Sequence, residues 1–459
     1  VPYVGAGALQ TRGADTVNCP TGIAVDANGK FTLKLHQRWI GMKTIGSQTR
    51  YGLLVAVIML AGCGGAQSGS KLADGIVPAV NSNMTAGLSP EHGKVTAVCP
   101  DRHPGRAQCM ALIFNGTPIR DGGSGPLGGF APADLQAAYH LPSTSKSSGQ
   151  IVAIVNWYDN PNVASDLAFY RSYFGLPAAN FFKYNQYGQQ YNYPQGDKSR
   201  GFEADLDVEM VSASCPNCTI YLVEANSNSV ADAETAEAEA VTLGAHIVSN
   251  SWNCFGGACN GMQSYFDTAG VTYLAAAGDS SYGTTPPMDF GTVVSVGGTH
   301  LVKGGGKRGW TESVWGGTGI PSPAPGTGGG CSDQPKPSWQ HDAGCAFRTA
   351  NDVSAVADGD TGVSQYDTYG YSGWDIAGGT SVATPLVAGI FGLAGNATSQ
   401  DGGKTFWEKI HERPSDLNPI LRGSNGHCSP TYLCTDGTHE YKNYGGPTGW
   451  GTPNGIGAF

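Results

Sequence analysis

Several stretches of this chain are apolar at nearly every position rather than at every second one, and helical segments lie between them. Gln150-Ile-Val-Ala-Ile-Val155, Thr219 to Glu224, Ala245 to Trp252, Val271 to Ala277 and Val293 to Gly297 read as strands. Helical spacing occurs from Ala164 to Phe174, Val230 to Leu243 and Ser381 to Ala394. A short continuous apolar run is what a strand buried on both faces requires. Strands that alternate with helices predict an α/β fold with a mostly parallel sheet flanked by helices on both faces. Ligands of such sheets sit beyond the carboxyl ends of the strands, so functional residues are expected in the loops just after these runs.

The 459 residues suffice for one large domain. A formal charge of -10 with no basic cluster excludes a nucleic-acid partner. The 69 glycines and 27 prolines imply many tight turns. Ten of the 12 cysteines fall into close pairs: Cys99 with Cys109, Cys215 with Cys218, Cys254 with Cys259, Cys331 with Cys345, and Cys428 with Cys434. No zinc-finger spacing accompanies them, so they read as disulfides formed in an oxidising compartment.

The remaining two are Cys19 and Cys63. Met42-Lys43 and Arg50 precede an apolar run from Tyr51 that ends Leu60-Ala-Gly-Cys63. A basic region, a short apolar core and small residues form a signal-peptide pattern, and the run is too short for a stable membrane span. The last four residues resemble a bacterial lipobox, which would make Cys63 a lipidated N-terminus; a buried strand is the plainer alternative. On this reading residues 1–41 are an upstream extension, 42–62 a signal peptide and 63–128 a linker or short pro-segment. The main ordered domain spans 129–459.

The sharpest motif is Gly378-Gly-Thr-Ser-Val-Ala-Thr-Pro385 at the head of an apolar helix. The glycines permit a sharp turn and close approach of a substrate, and the helix N-terminus favours negative charge developing at Ser381. Ser381 as a simple helix cap is the alternative. A nucleophilic serine needs a base, yet the first strand ends at Asn156 without a carboxylate. The sole His-Gly pair, His92-Gly93, precedes the ordered domain. Glu203-Ala-Asp-Leu-Asp207 offers another solution: residues four apart share a helix face, and two close carboxyls tend to hold a proton between them. Glu203 would take the serine proton and Asp207 would steer it. A solvated acidic helix, with Asp205 and Glu209 alongside, is the bland reading. Asp279 ends Ala275-Ala-Ala-Gly-Asp279 after a buried strand; a turn-stabilising aspartate is the plain reading, and as a hydrogen-bond donor its carboxyl would serve only when protonated.

In the order Glu, Asp, Asp, Ser, these motifs resemble the sedolisin family of serine-carboxyl peptidases, which have a subtilisin-like fold and work in acid. The likeness runs from about Gly129 to Phe459. It includes Ser249-Asn-Ser-Trp252, Val296-Gly-Gly-Thr299, Lys336-Pro-Ser-Trp-Gln340 and Gly446-Pro-Thr-Gly-Trp-Gly-Thr-Pro453. It implies Ser381 as nucleophile, Glu203 as base, Asp207 as its partner and Asp279 as the oxyanion residue. Ser249, Asn250, Ser251 and Trp252 would lie along the substrate, with Gly278, Gly379 and Thr380 completing its site. The family's calcium ion is expected to be absent, since Pro419 and Gly445 stand where its two aspartates belong. The resemblance thus implies a monomeric, extracytoplasmic peptidase, secreted or lipid-anchored, without a cofactor and acting on peptides or proteins. A non-catalytic peptide-binding lipoprotein of the same fold is the rival.

Overall fold

A computed structural model describes residues 95–100, 102–115, 122–145, 149–316, 325–410 and 412–459, with the backbone of two short N-terminal strands. Residues 1–74 form a unit of their own, within which β1 (Ile23–Val25) pairs antiparallel with β2 (Phe31–Leu33). The expected signal segment 42–62, Cys63 and Cys19 lie outside the described residues.

The second unit opens with β3 (Val95–Ala97), β4 (Ala107–Cys109), β5 (Leu112–Phe114) and α1 (Pro132–Ala138). There follow β6 (Ile151–Trp157), α2 (Val163–Tyr173), β7 (Asn180–Asn185), α3 (Lys198–Ser214), β8 (Thr219–Ala225) and α4 (Val230–Thr242). Next come β9 (Ile247–Asn250), β10 (Trp252–Cys254), β11 (Thr272–Ala276), β12 (Val293–Lys303) and β13 (Trp310–Val314). β14 (Gly330–Pro335), β15 (Phe347–Ala350), β16 (Val353–Val356), β17 (Val363–Asp367) and β18 (Gly373–Gly378) lead to α5 (Thr380–Ala394).

The central sheet has eight strands in the order β13-β12-β11-β9-β6-β8-β7, with β16 also paired to β12. Every pairing is parallel except β12 with β13. This is the α/β, subtilisin-like arrangement expected from the sequence. Alternate side chains of each strand enter different cores: Val152 and Ile154 of β6 pack with α3 and α5, whereas Ala153, Val155 and Trp157 pack with α4. A strand with apolar neighbours on both faces must itself be apolar throughout, which is why these runs lack alternation.

Helix α3 is buried at every position from Gly201 to Ser214. It starts at Asp197, whose side chain accepts from the amides of Ser199 and Arg200. Since α1, α2 and α5 surround it against the sheet, Glu203, Asp205, Asp207 and Glu209 all lie inside the protein. The bland reading of a solvated acidic face does not hold. All five expected disulfides form.

The stretch read as a linker or pro-segment departs from expectation over residues 95–115. β3 and β5 pair antiparallel, β5 adds to β18 and β17 in a four-stranded sheet, and β4 pairs antiparallel with β10. Strands of three residues are too short to show a period, so their order comes from partners distant in sequence.

Candidate active site

Helix α5 begins directly after β18, through a glycine turn. Gly379 has φ of +95°, and a Cβ there would lie 2.0 Å from the carbonyl oxygen of Met110 and 2.6 Å from Asp279 Oδ2. Only glycine fits such a crossing. The turn places Ser381 in the first helical turn, fully buried, with Oγ donating to the carbonyl of Ser251 at 3.3 Å. Its N–H donates to the carbonyl of Met110 at 3.4 Å.

Glu203 and Asp207 project from one face of α3, which packs against α5. Burial, followed by the charges of Asp207 and Asp279, holds the Glu203 carboxyl well above its usual range. The Ser381 hydroxyl and the Ala111 amide face this carboxyl and favour its charged form, without closing to formed hydrogen bonds. Burial also raises Asp207, while hydrogen bonding to Ser251 opposes it. Asp207 Oδ1 accepts from Ser251 Oγ at 2.6 Å, and Oδ2 accepts from Asn156 Nδ2 at 3.0 Å. Two fixed donors thus orient Asp207.

Asp279 follows β11 at the carboxyl edge of the sheet. Its Oδ1 accepts from both the N–H and the hydroxyl of Thr380 at 2.8 Å. Thr380 Oγ1 in turn accepts from the Gly278 amide at 3.0 Å. The residue is partly exposed, but Oδ2 is sealed from solvent without a partner. Burial pushes the carboxyl up to about 7, against the hydrogen bonds from Thr380. A carboxyl of that kind stays protonated in acid and can donate. Among the described residues, no histidine hydrogen-bonds to Ser381, Glu203 or Asp207.

The four expected chemical residues are therefore brought together, whereas the expected substrate-contact residues divide. Ser249 and Asn250 belong to β9, whose backbone is paired with β6 and β11 on its two sides. No free edge is left at Ser249, whereas the register with β6 stops short of Asn250. The Trp252 ring is buried, with Nε1 donating to the carbonyl of Val155. Ser251 and the backbone of β10 border the site, and Ala107 to Met110 pair along them. Gly278, Gly379 and Thr380 do border the site. A cleft of about 570 Å³ adjoins Asp279, lined among others by Met110, Asn253, Gly278, Tyr282 and Asp289.

Sequence reasoning gave Asn156 and the Ser251 hydroxyl no part in holding Asp207. An amide at the end of an otherwise apolar buried strand was the available signal, because a buried polar group needs a partner.

Two places bear on a metal. Asp166, Asp205 and Asp367 are buried, with oxygens within 4.8 Å of one another. At the family's calcium position, Asp436 Oδ1 lies 1.8 Å from where a Cβ of residue 445 would be, so it fills that space. Burial pushes Asp436 up to about 8, and its other oxygen accepts from Thr448. A single, readily protonated acid beside Pro419 and Gly445 does not fit calcium, which wants several anionic oxygens.

Residues 192–410 match the Subtilase family. Over 384 residues the chain is 25% identical to sedolisin from Pseudomonas sp. (strain 101), covering 76% of this chain and 63% of that protein's length. A solved structure of Pseudomonas sedolisin, a serine-carboxyl proteinase complexed with two molecules of pseudo-iodotyrostatin, aligns with a TM-score of 0.60. The alignment is 24% identical and covers 71% of this chain and 95% of that one. Fold and site together define a subtilisin-like α/β protein. Within that class, the chain resembles sedolisin in both sequence and structure.

Proposed function

We propose that this protein is a serine-carboxyl peptidase that hydrolyses peptide bonds in acid through an acyl-enzyme on Ser381. The observation that carries the reading is a buried serine hydroxyl facing a carboxyl of raised pKa, with no imidazole among the described residues bonded to either. Glu203 takes the proton as Ser381 Oγ attacks the substrate carbonyl carbon, then returns it to the departing amine. Asp207, held by Ser251 and Asn156, fixes Glu203 and shares its proton. Protonated Asp279 and the Ser381 amide stabilise the oxyanion. Water then repeats the sequence on the ester and frees the acid product.

The five disulfides support an extracytoplasmic site of action. A lipid on Cys63 is the matching proposal for anchoring, and intact-mass measurement of the membrane fraction tests it. The substrate is a peptide or protein, bound antiparallel along β10 in the place that β4 takes in this structure. Activity on a mixed peptide library from about pH 3 to 7, the range spanning carboxyl titration, tests the reaction. The wild-type chain should cut in acid and Ser381→Ala should not; equal cutting by both removes the nucleophile. A peptide that binds without being cut by either would favour the non-catalytic alternative.

A further inference from the structure

Four buried acids meet where α2, α3 and β17 come together, on the other side of α3 from Glu203. Asp166 of α2, Asp205 and Glu209 of α3, and Asp367 of β17 are each at most 2% exposed. Oxygens of Asp166, Asp205 and Asp367 lie within 4.8 Å of one another. Oxygens that share one calcium ion at about 2.3 to 2.6 Å are about 5 Å apart at most. Neighbouring donors fix one oxygen of three of these acids and leave the other bare. Asp205 Oδ2 accepts from Asn160 Nδ2 at 2.7 Å, and Glu209 Oε2 from the Tyr366 amide at 3.1 Å. Asp367 Oδ1 accepts from the amides of Tyr369 and Gly370 at 2.6 and 2.9 Å. The second oxygens, Asp205 Oδ1, Glu209 Oε1 and Asp367 Oδ2, are sealed from solvent and accept no hydrogen bond. Asp166 is held by the amide and hydroxyl of Thr368, each at 2.8 Å.

Glu209 lies outside the aspartate triad yet faces it. Burial first, then the charges of Asp205, Asp166 and Asp367, raises its carboxyl, against the Tyr366 amide. The Tyr170 hydroxyl stands one helical turn after Asp166 and is buried without a partner. Burial, and then the charge of Glu209, raises it as well. Among the described residues, none of the four acids forms an ion pair. Arg171 turns away, donating to Ser212 Oγ and to the carbonyls of Pro177 and Pro216. Lys183 pairs with Asp159 and Glu224. Carboxylates without a counter-charge are strongly unfavourable inside a protein, so the cluster needs either protons or a metal ion.

We propose that this cluster is a calcium site, held by Asp166, Asp205, Glu209 and Asp367, with the Tyr170 hydroxyl as a neutral oxygen. It is distinct from the place beside Asp436. Calcium accepts about six to eight hard oxygens in a flexible shell, whereas magnesium retains waters that a cluster sealed from solvent suits poorly. The ion joins α2, α3 and β17 and stabilises the fold, and it touches none of the reacting atoms. Protons compete for the same oxygens, so binding strengthens from acid towards neutral pH.

The purified full chain, stripped with a chelator, should be titrated calorimetrically with calcium chloride at about pH 7, beside magnesium chloride. One equivalent of calcium is expected, with a Kd of about 10⁻⁵ M or tighter and a Tm raised by about 3 °C or more. Asp205→Asn and Asp367→Asn, checked for native folding by circular dichroism, should each weaken binding by about tenfold or more, whereas Asp436→Asn should leave it unchanged. If the Asn variants fail to fold, Glu209→Gln and the milder Tyr170→Phe decide the location by the same loss. Three results would overturn the proposal: no calcium bound at about pH 7, binding that the folded cluster variants leave intact, or magnesium bound as tightly as calcium. None of them would touch the peptidase reading, which rests on Ser381 and Glu203.

Discussion

Helix α3 carries two pairs of buried carboxyls, and under the proposed mechanism the contrast between its faces separates catalytic from structural acidity. On one face Glu203 and Asp207 meet the Ser381 hydroxyl, the Ala111 amide, Ser251 and Asn156. On the other, Asp205 and Glu209 meet further acids, Asp166 and Asp367. There Asp205 accepts from Asn160 at 2.7 Å, Glu209 from the Tyr366 amide at 3.1 Å, and Asp166 from Thr368. Burial is the first cause that raises all four carboxyls of the helix. A raised pKa therefore does not mark the active face by itself; the neighbouring nucleophile does.

The largest expected effect lies on the first face. Glu203→Gln should lower kcat on a peptide substrate by about 10³-fold or more, because the general base is lost. Asp205→Asn should leave kcat within about threefold, since it touches none of the reacting atoms. A comparable loss in Asp205→Asn would abolish the distinction between the faces. Asp279→Ala should cost about 10²- to 10³-fold by removing an oxyanion donor. In the wild type, activity should fall as pH rises through about 7, where Asp279 loses its proton, and a pH profile of kcat reads this directly.

Stability should sharpen the same comparison. Carboxyls whose pKa is higher in the folded chain than in the unfolded one stabilise the fold below about pH 4. That contribution disappears as pH rises through the folded values, about 7 for Asp279 and Asp289 and about 8 for Asp436. In a chelator, thermal unfolding should therefore show a Tm that declines from about pH 4 towards 8. Asp205→Asn removes one such group and should flatten the decline while leaving the acid Tm nearly unchanged. The smallest effect concerns ions away from this helix: in Asp205→Asn, Tm at about pH 7 should be the same in calcium and in a chelator. A rise with calcium that persists in that variant would place a cation beside Asp436.

Much of this arrangement was legible in the residues, and the physical reason differs by element. Continuous apolar runs at β6, β8 and β11 announced a sheet covered twice, and each run was found as a strand. The nucleophile turn was legible because Gly379 has no tolerable substitute where Met110 and Asp279 converge. Close cysteine spacing disclosed the disulfides. Hidden from view were features fixed by partners far away in the chain. Nothing local in Ala107 to Phe114 says that Trp252 or Ala377 lies opposite, and Ser249 looked as available as Ser251 until β9 was seen paired on both sides. Asn156 was noticed as a missing acid, whereas its role is to hold an acid that had moved to α3.

The cystine map has a consequence for how the chain answers to a nick by an added protease. Cys99–Cys109 closes before Met110, and the other four bridges begin at Cys215 or later. Among the described residues no disulfide spans the stretch between them, so one cut just after Met110 would leave two pieces held by ladders such as Val95 to Ala97 against Leu112 to Phe114. A non-reducing denaturing gel of such nicked material would resolve two bands.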